Sequence, residues 1–502
     1  YLLGVAAYQT KEYSKSIDAF KKSLALGGTI LREIPTGSAP SNDIMIKIAK
    51  AYALLGDKSN SIAWLQKGFN ARYDEKPFLI GSSAFKTLKD DIEFQKVLGV
   101  YKDKNVSRVE AWKQDIDYFV YNIRQSHFNM HHSVSKENFD TLVNDVKSNI
   151  NTLTDQQIIV KLMKILGSLG NGHNLIIPTT PKQNALKQLP VQFYQFKDGM
   201  YIVSAKKGFK KWIGYKVISI GNNLINEALI KTNKVNARDN NMQTLWLGPY
   251  YLSLPDVLKE LGITNSSKEV TLELEDNSGV KEKIKLRPQS WNFSDFPKIP
   301  KVNTENQPLY LSKMKDPYWS KTFSTENAIY VQFNVVAEKK SQSIQAFTEQ
   351  LRIDISDSKT KYLILDLRHN HGGNGSLLKP MLQTIINFEV THPKGKIFVL
   401  IGRETFSAAQ NLLTDITKYT NAVLVGEPSG SKPNHIGEAN WFKLPYSGLM
   451  GLISSQYHQT SKAEDHRKWI APHIPVEQSS KDYFKGKDKA LQIVFKTIAS
   501  LK

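Results

Sequence analysis

The chemistry this chain could perform gathers around one serine and one glycine turn. Ser407 stands among small residues in Glu404-Thr405-Phe406-Ser407-Ala408-Ala409-Gln410, at the expected start of a helix. Upstream, Leu365-Asp366-Leu367-Arg368-His369-Asn370-His371-Gly372-Gly373 reads as a strand running into a turn. A serine hydroxyl is a weak nucleophile unless a base lies within hydrogen-bond reach. The oxyanion it generates on a carbonyl needs donors, usually backbone N–H groups. Glycines present their amides without side-chain obstruction, so Gly372 and Gly373 are expected to supply one donor. The N–H of Ala408, at a helix start and aided by the helix dipole, is expected to supply the other.

These residues need a scaffold, and the pattern from Asn327 onward is one of alternating strands and helices. Ala328–Phe333, Tyr362–Leu367, Lys396–Ile401 and Ala422–Val425 read as strands. Ser341–Ser356, Ser376–Phe388 and Ala408–Thr417 read as the helices between them. Such alternation predicts a largely parallel sheet, with its active site at the carboxyl ends of the strands. The glycine turn and Ser407 both fall there.

Three further regions precede this 305–502 core. Residues 1–100 are expected to be helical. Ile17 and Phe20 have counterparts in Ile62 and Leu65, and the two stretches resemble tetratricopeptide repeats with an insertion around Gly27–Gly37. Two repeats seldom form a solenoid alone; a protein-contact surface and a helical cap are both open readings. Residues 101–180 are expected to form a helical cap. Its last helix is Asp155–Leu169, N-capped by Thr154, and it ends in Gly170-Asn171-Gly172-His173-Asn174. Residues 186–290 read as a small β-rich domain, with one Gly-x-x-Val-x-x-Ile-Gly strand weakly reminiscent of a PDZ domain. Trp291–Gln307 reads as a linker.

Composition sets outer limits. The 502 residues allow roughly three domains. No apolar run approaches the roughly 20 residues of a membrane span. The absence of cysteine excludes disulfides, thiol catalysis and cysteine-based zinc sites. The net charge of +20 comes from lysines spread over the whole chain, with no Arg-rich tract and no aromatic-basic motif. A solvated basic surface is expected, and no nucleic-acid partner.

The Leu-Asp-Leu-Arg-x-Asn-x-Gly-Gly run, Thr405-Phe406-Ser407-Ala408-Ala409 and Val425-Gly426-Glu427-Pro428 resemble the C-terminal processing (tail-specific) serine peptidases. Tricorn core protease and the interphotoreceptor retinoid-binding repeats are similar at a greater distance. Asp465-His466-Arg467-Lys468-Trp469-Ile470-Ala471-Pro472 and Gly486–Leu491 resemble the family's closing segment. The resemblance covers residues from about 105 to 502. It implies a ClpP/crotonase-like layered α/β core, an export address, an extended polypeptide as substrate, and no metal or cofactor.

Two bases are implied by two branches of that family. One branch uses a lysine, and Lys432 lies 25 residues after Ser407, at that branch's spacing. It would need burial or cationic neighbours to lower its pKa from about 10.4. The tricorn-like branch uses a histidine, and Gly170-Asn171-Gly172-His173 resembles its turn. An imidazole near 6.5 serves as base with little tuning. Its acidic partner would be Asp465 or Glu427. His473 stands where the family has an aspartate after the closing proline. Asp366 and Arg368 are expected to hold the glycine turn. His369, His371 and His473 show no metal-like spacing with His173. The expectation is a peptidase acting through an acyl-enzyme on Ser407. The alternative is a catalytically silent protein of the same fold that binds peptides or hydrophobic ligands.

Overall fold

The computed structural model describes residues 1–26, 41–71, 73, 75–102, 105–178, 186–290, 299–300, 307–357, 359–501. The insertion expected around 27–37 and most of the 291–307 linker lie outside them. The chain divides into two compact units. The first comprises 1–169, 173–185 and 436–456, and the second 170–172, 186–435 and 457–502. Among the described residues no helix is long and apolar enough to cross a membrane.

The first unit begins with helices Leu2–Gln9, Tyr13–Ala25, Ser41–Leu54 and Lys58–Asn70. Ile17, Phe20 and Leu65 are buried and Ile62 is partly buried, so the corresponding positions all turn inward. A Cβ on Gly4 would lie 2.5 Å from the Phe20 ring, so this helix pair closes only because position 4 lacks one. Helices Arg108–Ser126, Lys136–Ser148 and Asp155–Ser168 follow. Thr154 caps the last through a capping box with Gln157. The short strand Leu175–Ile177 pairs antiparallel with Met450–Leu452, which belongs to the returning 436–456 segment.

The second unit opens with an antiparallel sheet built from Val191–Phe196, Gly199–Ala205, Lys216–Ile220, Val270–Glu275 and Lys281–Leu286. Its main sheet holds six strands: β1 (Tyr318–Phe323), β2 (Ala328–Phe333), β3 (Tyr362–Asp366), β4 (Lys396–Ile401), β5 (Val423–Gly426) and β6 (Ile474–Pro475). They lie in the order β6-β5-β4-β3-β2-β1, all parallel except the antiparallel edge strand β1. The helices between them are α1 (Ile344–Asp357), α2 (Lys379–Thr391) and α3 (Ala408–Tyr419), and α4 (Lys489–Ser500) closes the chain.

Sequential parallel strands joined by right-handed crossovers put all their helices on one face. Accordingly Leu363, Leu365, Ile397, Val399 and Ile401 pack with residues of α1, α2 and α3. The alternate residues Ile364, Phe398, Leu400 and Val425 pack with Ala490, Leu491, Val494 and Ile498 of α4. Both faces of the sheet are covered, which is why β3 and β4 read as near-continuous apolar runs. This layered α/β core is the expected one. One local difference is physical: the helix expected from Ser376 starts at Lys379, preceded by a short 3-10 turn at Gly375–Leu377. Pro380 sits at its first turn, where the missing N–H costs nothing.

Candidate active site

Strand β4 ends at Ile401 and helix α3 begins at Ala408, and the six-residue link Gly402–Ser407 must turn sharply between them. Ser407 pays for the turn with φ 55° and ψ −126°, a conformation L-residues rarely adopt. Strain of about 1–3 kcal/mol at one residue persists only where surrounding bonds over-determine it. Here they do. Thr405 Oγ1 donates to Leu367 O (2.9 Å) and accepts from Gly402 N–H (3.0 Å). Phe406 N–H donates to Asn370 O (3.0 Å), and Gly430 N–H to Thr405 O (3.0 Å). The result is a half-buried serine on a strand–turn–helix corner.

The glycine turn lies directly against it. A Cβ on Gly372 would fall 2.6 Å from Ser407 Cβ and 2.7 Å from Ala408 N. Gly372 and Gly373 both have positive φ, 97° and 131°. The fully buried Asn370 fixes the turn: its Oδ1 accepts from Gly372 N–H (2.9 Å), and its Nδ2 donates to Phe333 O at the end of β2 (2.8 Å). Gly372 N–H is therefore occupied, and of the two glycines Gly373 keeps its donor. Among the described residues neither Gly373 N–H nor Ala408 N–H donates a hydrogen bond.

Beneath the turn lies a buried ionic network. Arg368 forms paired hydrogen bonds with Asp366 (3.0 and 2.6 Å) and with Asp488 (2.9 and 2.7 Å). Burial raises the Asp366 carboxyl, but the Arg368 charge and bonds outweigh it and hold the group below its usual range. Asp488 also accepts from Leu491 N–H and so caps α4. The Asp366–Arg368 pairing was legible in the sequence, whereas Asp488 lies 120 residues from Arg368 and carried no local signal. His473 also has a structural contact: its Nδ1 accepts from Leu424 N–H (2.9 Å) in β5.

The remaining candidates are placed as follows. Glu427 makes a two-bond pair with the buried Arg403 guanidinium (2.8 and 2.6 Å), which also donates to Gln195 O and Leu245 O. Asp465 pairs with Arg467, whose hydrogen bonds hold its carboxyl well below the usual range. Lys432 is half-buried, two residues beyond Gly430, which bonds the loop before Ser407, and among the described residues its ammonium forms no ion pair. Its carbonyl contacts His435 Nδ1 (3.2 Å), and the His435 ring stacks on His458 with centroids 5.1 Å apart. Burial, then the charges of His458 and Lys432, lower His435 to about 3. His173 belongs to the first unit, between helix Asp155–Ser168 and strand Leu175–Ile177. Among the described residues no His/Asp/Glu group could hold a metal.

No protein-family model matches the chain. Trigger factor of Buchnera aphidicola subsp. Acyrthosiphon pisum (strain Tuc7) is 23% identical over 263 residues, 49% of this chain and 52% of that protein. The chain thus spans about half the length of the curated relatives it matches. Among solved structures, mature CPAF superposes with a TM-score of 0.54 at 12% identity, over 78% of this chain and 98% of that one. The chain shares its fold with CPAF. The CPAF complex with lactacystin gives a TM-score of 0.52 over 78% of this chain and 99% of that one, also at 12% identity. Nearly the whole of CPAF is therefore matched, and at this identity the likeness is one of fold.

Proposed function

We propose that the chain is a serine peptidase of the C-terminal processing type, which hydrolyses peptide bonds of extended polypeptides through an acyl-enzyme on Ser407. The observation that carries this reading is the strained Ser407 corner set against Gly372, with two undonated amides beside it. Ser407 Oγ, its proton taken by the base, attacks the scissile carbonyl, and Gly373 N–H and Ala408 N–H receive the developing oxyanion. As the intermediate collapses the C–N bond breaks, and the amine leaves with the proton from the base. Water, deprotonated by the same base, then attacks the ester, and Ser407 leaves with its proton restored as the acid product is released. Such donors act only if already aimed when charge develops, and strain at Ser407 is one means of aiming them. The fold shared with CPAF supports the reading at the level of architecture.

Two bases compete on chemical grounds. Lys432 is supported by its place two residues beyond Gly430, which bonds the Ser407 loop, and His173 by its residue type, since histidine is the commonest general base. For the acid, Asp465 and Glu427 are each already held by an arginine in the second unit, so either would have to act while so paired.

A fluorophosphonate probe tests the nucleophile. Ser407 in the folded wild type should be labelled, and Ser407→Ala should not. Absence of labelling in folded wild type would favour the silent binding protein instead. Lys432→Ala and His173→Ala, assayed side by side, identify the base by which one lowers labelling at least 100-fold. If neither does, both assignments fall.

A further inference from the structure

One carboxylate joins the two loops that would build this site, and neither the family resemblance nor the sequence pointed to it. Glu404 lies three residues before Ser407, and only 3% of it is exposed. Its Oε2 contacts His371 Nε2 at 2.8 Å and His369 Nδ1 at 3.4 Å. Both imidazoles flank Asn370 on the segment that leads into Gly372 and Gly373. Trp246 covers the junction from helix Met242–Tyr251, its ring 4.7 Å from His371 and 5.8 Å from Phe406. Tyr310 stacks on His369, with ring centroids 5.5 Å apart.

The charge state fits a clamp. Burial raises the Glu404 carboxyl, but hydrogen bonds from the two histidines and their charges outweigh it and bring it to about 2. Glu404 is thus an anion at any working pH, and ionised acceptors make hydrogen bonds roughly twice as strong as neutral ones.

We propose that Glu404, through His371 and His369, is the positioning group that fixes the Gly373 amide against the Ala408 amide, and so sets the geometry of the oxyanion hole. The inference rests on the serine-acylation reading above. Glu404 touches no reacting atom in this scheme. It ties the loop bearing one donor to the loop bearing the nucleophile and the other donor. Misplacing a donor costs transition-state stabilisation and leaves ground-state binding alone.

The test uses the full chain and a fluorophosphonate probe over a range of concentrations, so that the maximal labelling rate separates from the half-saturating concentration. Glu404→Ala and His371→Ala should each lower the maximal rate by about 10- to 100-fold, somewhat less than loss of a whole oxyanion donor. The half-saturating concentration should stay within about twofold. His371→Gln, which keeps a donor near the Nε2 position, should restore most of the rate. Thermal melts show which variants are folded. If Glu404→Ala does not melt cooperatively, His371→Ala alone decides. Wild-type labelling rates in the folded variants, or a loss confined to the half-saturating concentration, overturn the clamp. An unlabelled wild type overturns the serine reading and the clamp with it, whereas a labelled wild type with indifferent variants overturns the clamp alone.

Discussion

At the scale of single residues, the site depends on groups whose conformation or ionisation is held away from its ordinary value. Gly372 has φ 97° and leaves no room for a Cβ, whose nearest neighbours would be Ser407 Cβ and a backbone nitrogen. Backbone cannot yield as a flexible side-chain tip can. Gly372→Ala should therefore cost about 1–3 kcal/mol, read by urea denaturation, and should abolish probe labelling in whatever protein remains folded. His435 offers a pH test. Its folded pKa of about 3 lies below the ordinary 6.5 because of burial, then His458 and Lys432. Below 6.5 the unfolded chain binds a proton that the folded chain refuses until about 3. Its stabilising contribution is thus complete above 6.5 and declines as pH falls through that window. The slope is up to about 1.4 kcal/mol per pH unit. His435→Gln should flatten stability against pH between 6.5 and 4.5. Glu404 also loses stabilisation on acidification, but only from the ordinary 4.5 down to about 2, so the two effects separate. Denaturant midpoints at matched ionic strength would check both.

At the scale of elements, the sheet and its helices were legible because their signals are local. Tyr362–Leu367 and Lys396–Ile401 are apolar at every position or nearly so, and both prove to be parallel strands covered on two faces. Thr154 could be read as a cap because its partner Gln157 is three residues away. What was not legible is long-range. Asn370 reaches Phe333, Arg368 reaches Asp488, and Glu404 reaches His369 and His371 across 33 to 35 residues. No periodicity encodes such pairs. The expectation that either glycine could serve as donor had the same limit, since only the Asn370 bond distinguishes Gly372 from Gly373. Asp488 shows how much one such residue can carry, for it caps α4 and neutralises Arg368. Asp488→Ala would leave a buried guanidinium with one carboxylate where two had held it. Losing two charged hydrogen bonds while Asp366 still pairs Arg368 should cost about 1–3 kcal/mol, on top of the ~1 kcal/mol of the cap. Asp488→Asn keeps an acceptor for the cap and for one Arg368 N–H but carries no charge, so its loss relative to wild type in chemical denaturation isolates the ionic part.

At the scale of the whole molecule, the chain leaves its first unit near residue 185 and returns to it at 436–456. That return supplies parts the N-terminal segment lacks. Asp115 is fully buried, and its two carboxylate oxygens accept the amides of Tyr446 and Ser447, each at 2.8 Å. Phe128 N–H donates to Ser454 O, and strand Leu175–Ile177 has Met450–Leu452 as its partner. A fragment of residues 1–185 would keep its helices and their apolar faces while losing every one of these acceptors and donors. Burying a carboxylate without its hydrogen bonds costs several kcal/mol, which rivals the total stability of a domain of this size. The fragment should therefore show helical far-ultraviolet dichroism without a cooperative denaturant transition. Joining residues 436–456 to its C-terminus through a flexible glycine-serine linker should restore cooperativity. Asp115→Asn in that fusion keeps the shape of the side chain but offers only one acceptor oxygen to two amides, and should lower its midpoint measurably. A fragment that unfolds cooperatively without the return segment would mean that the helices alone make the core, and that the returning hairpin adds surface without adding stability.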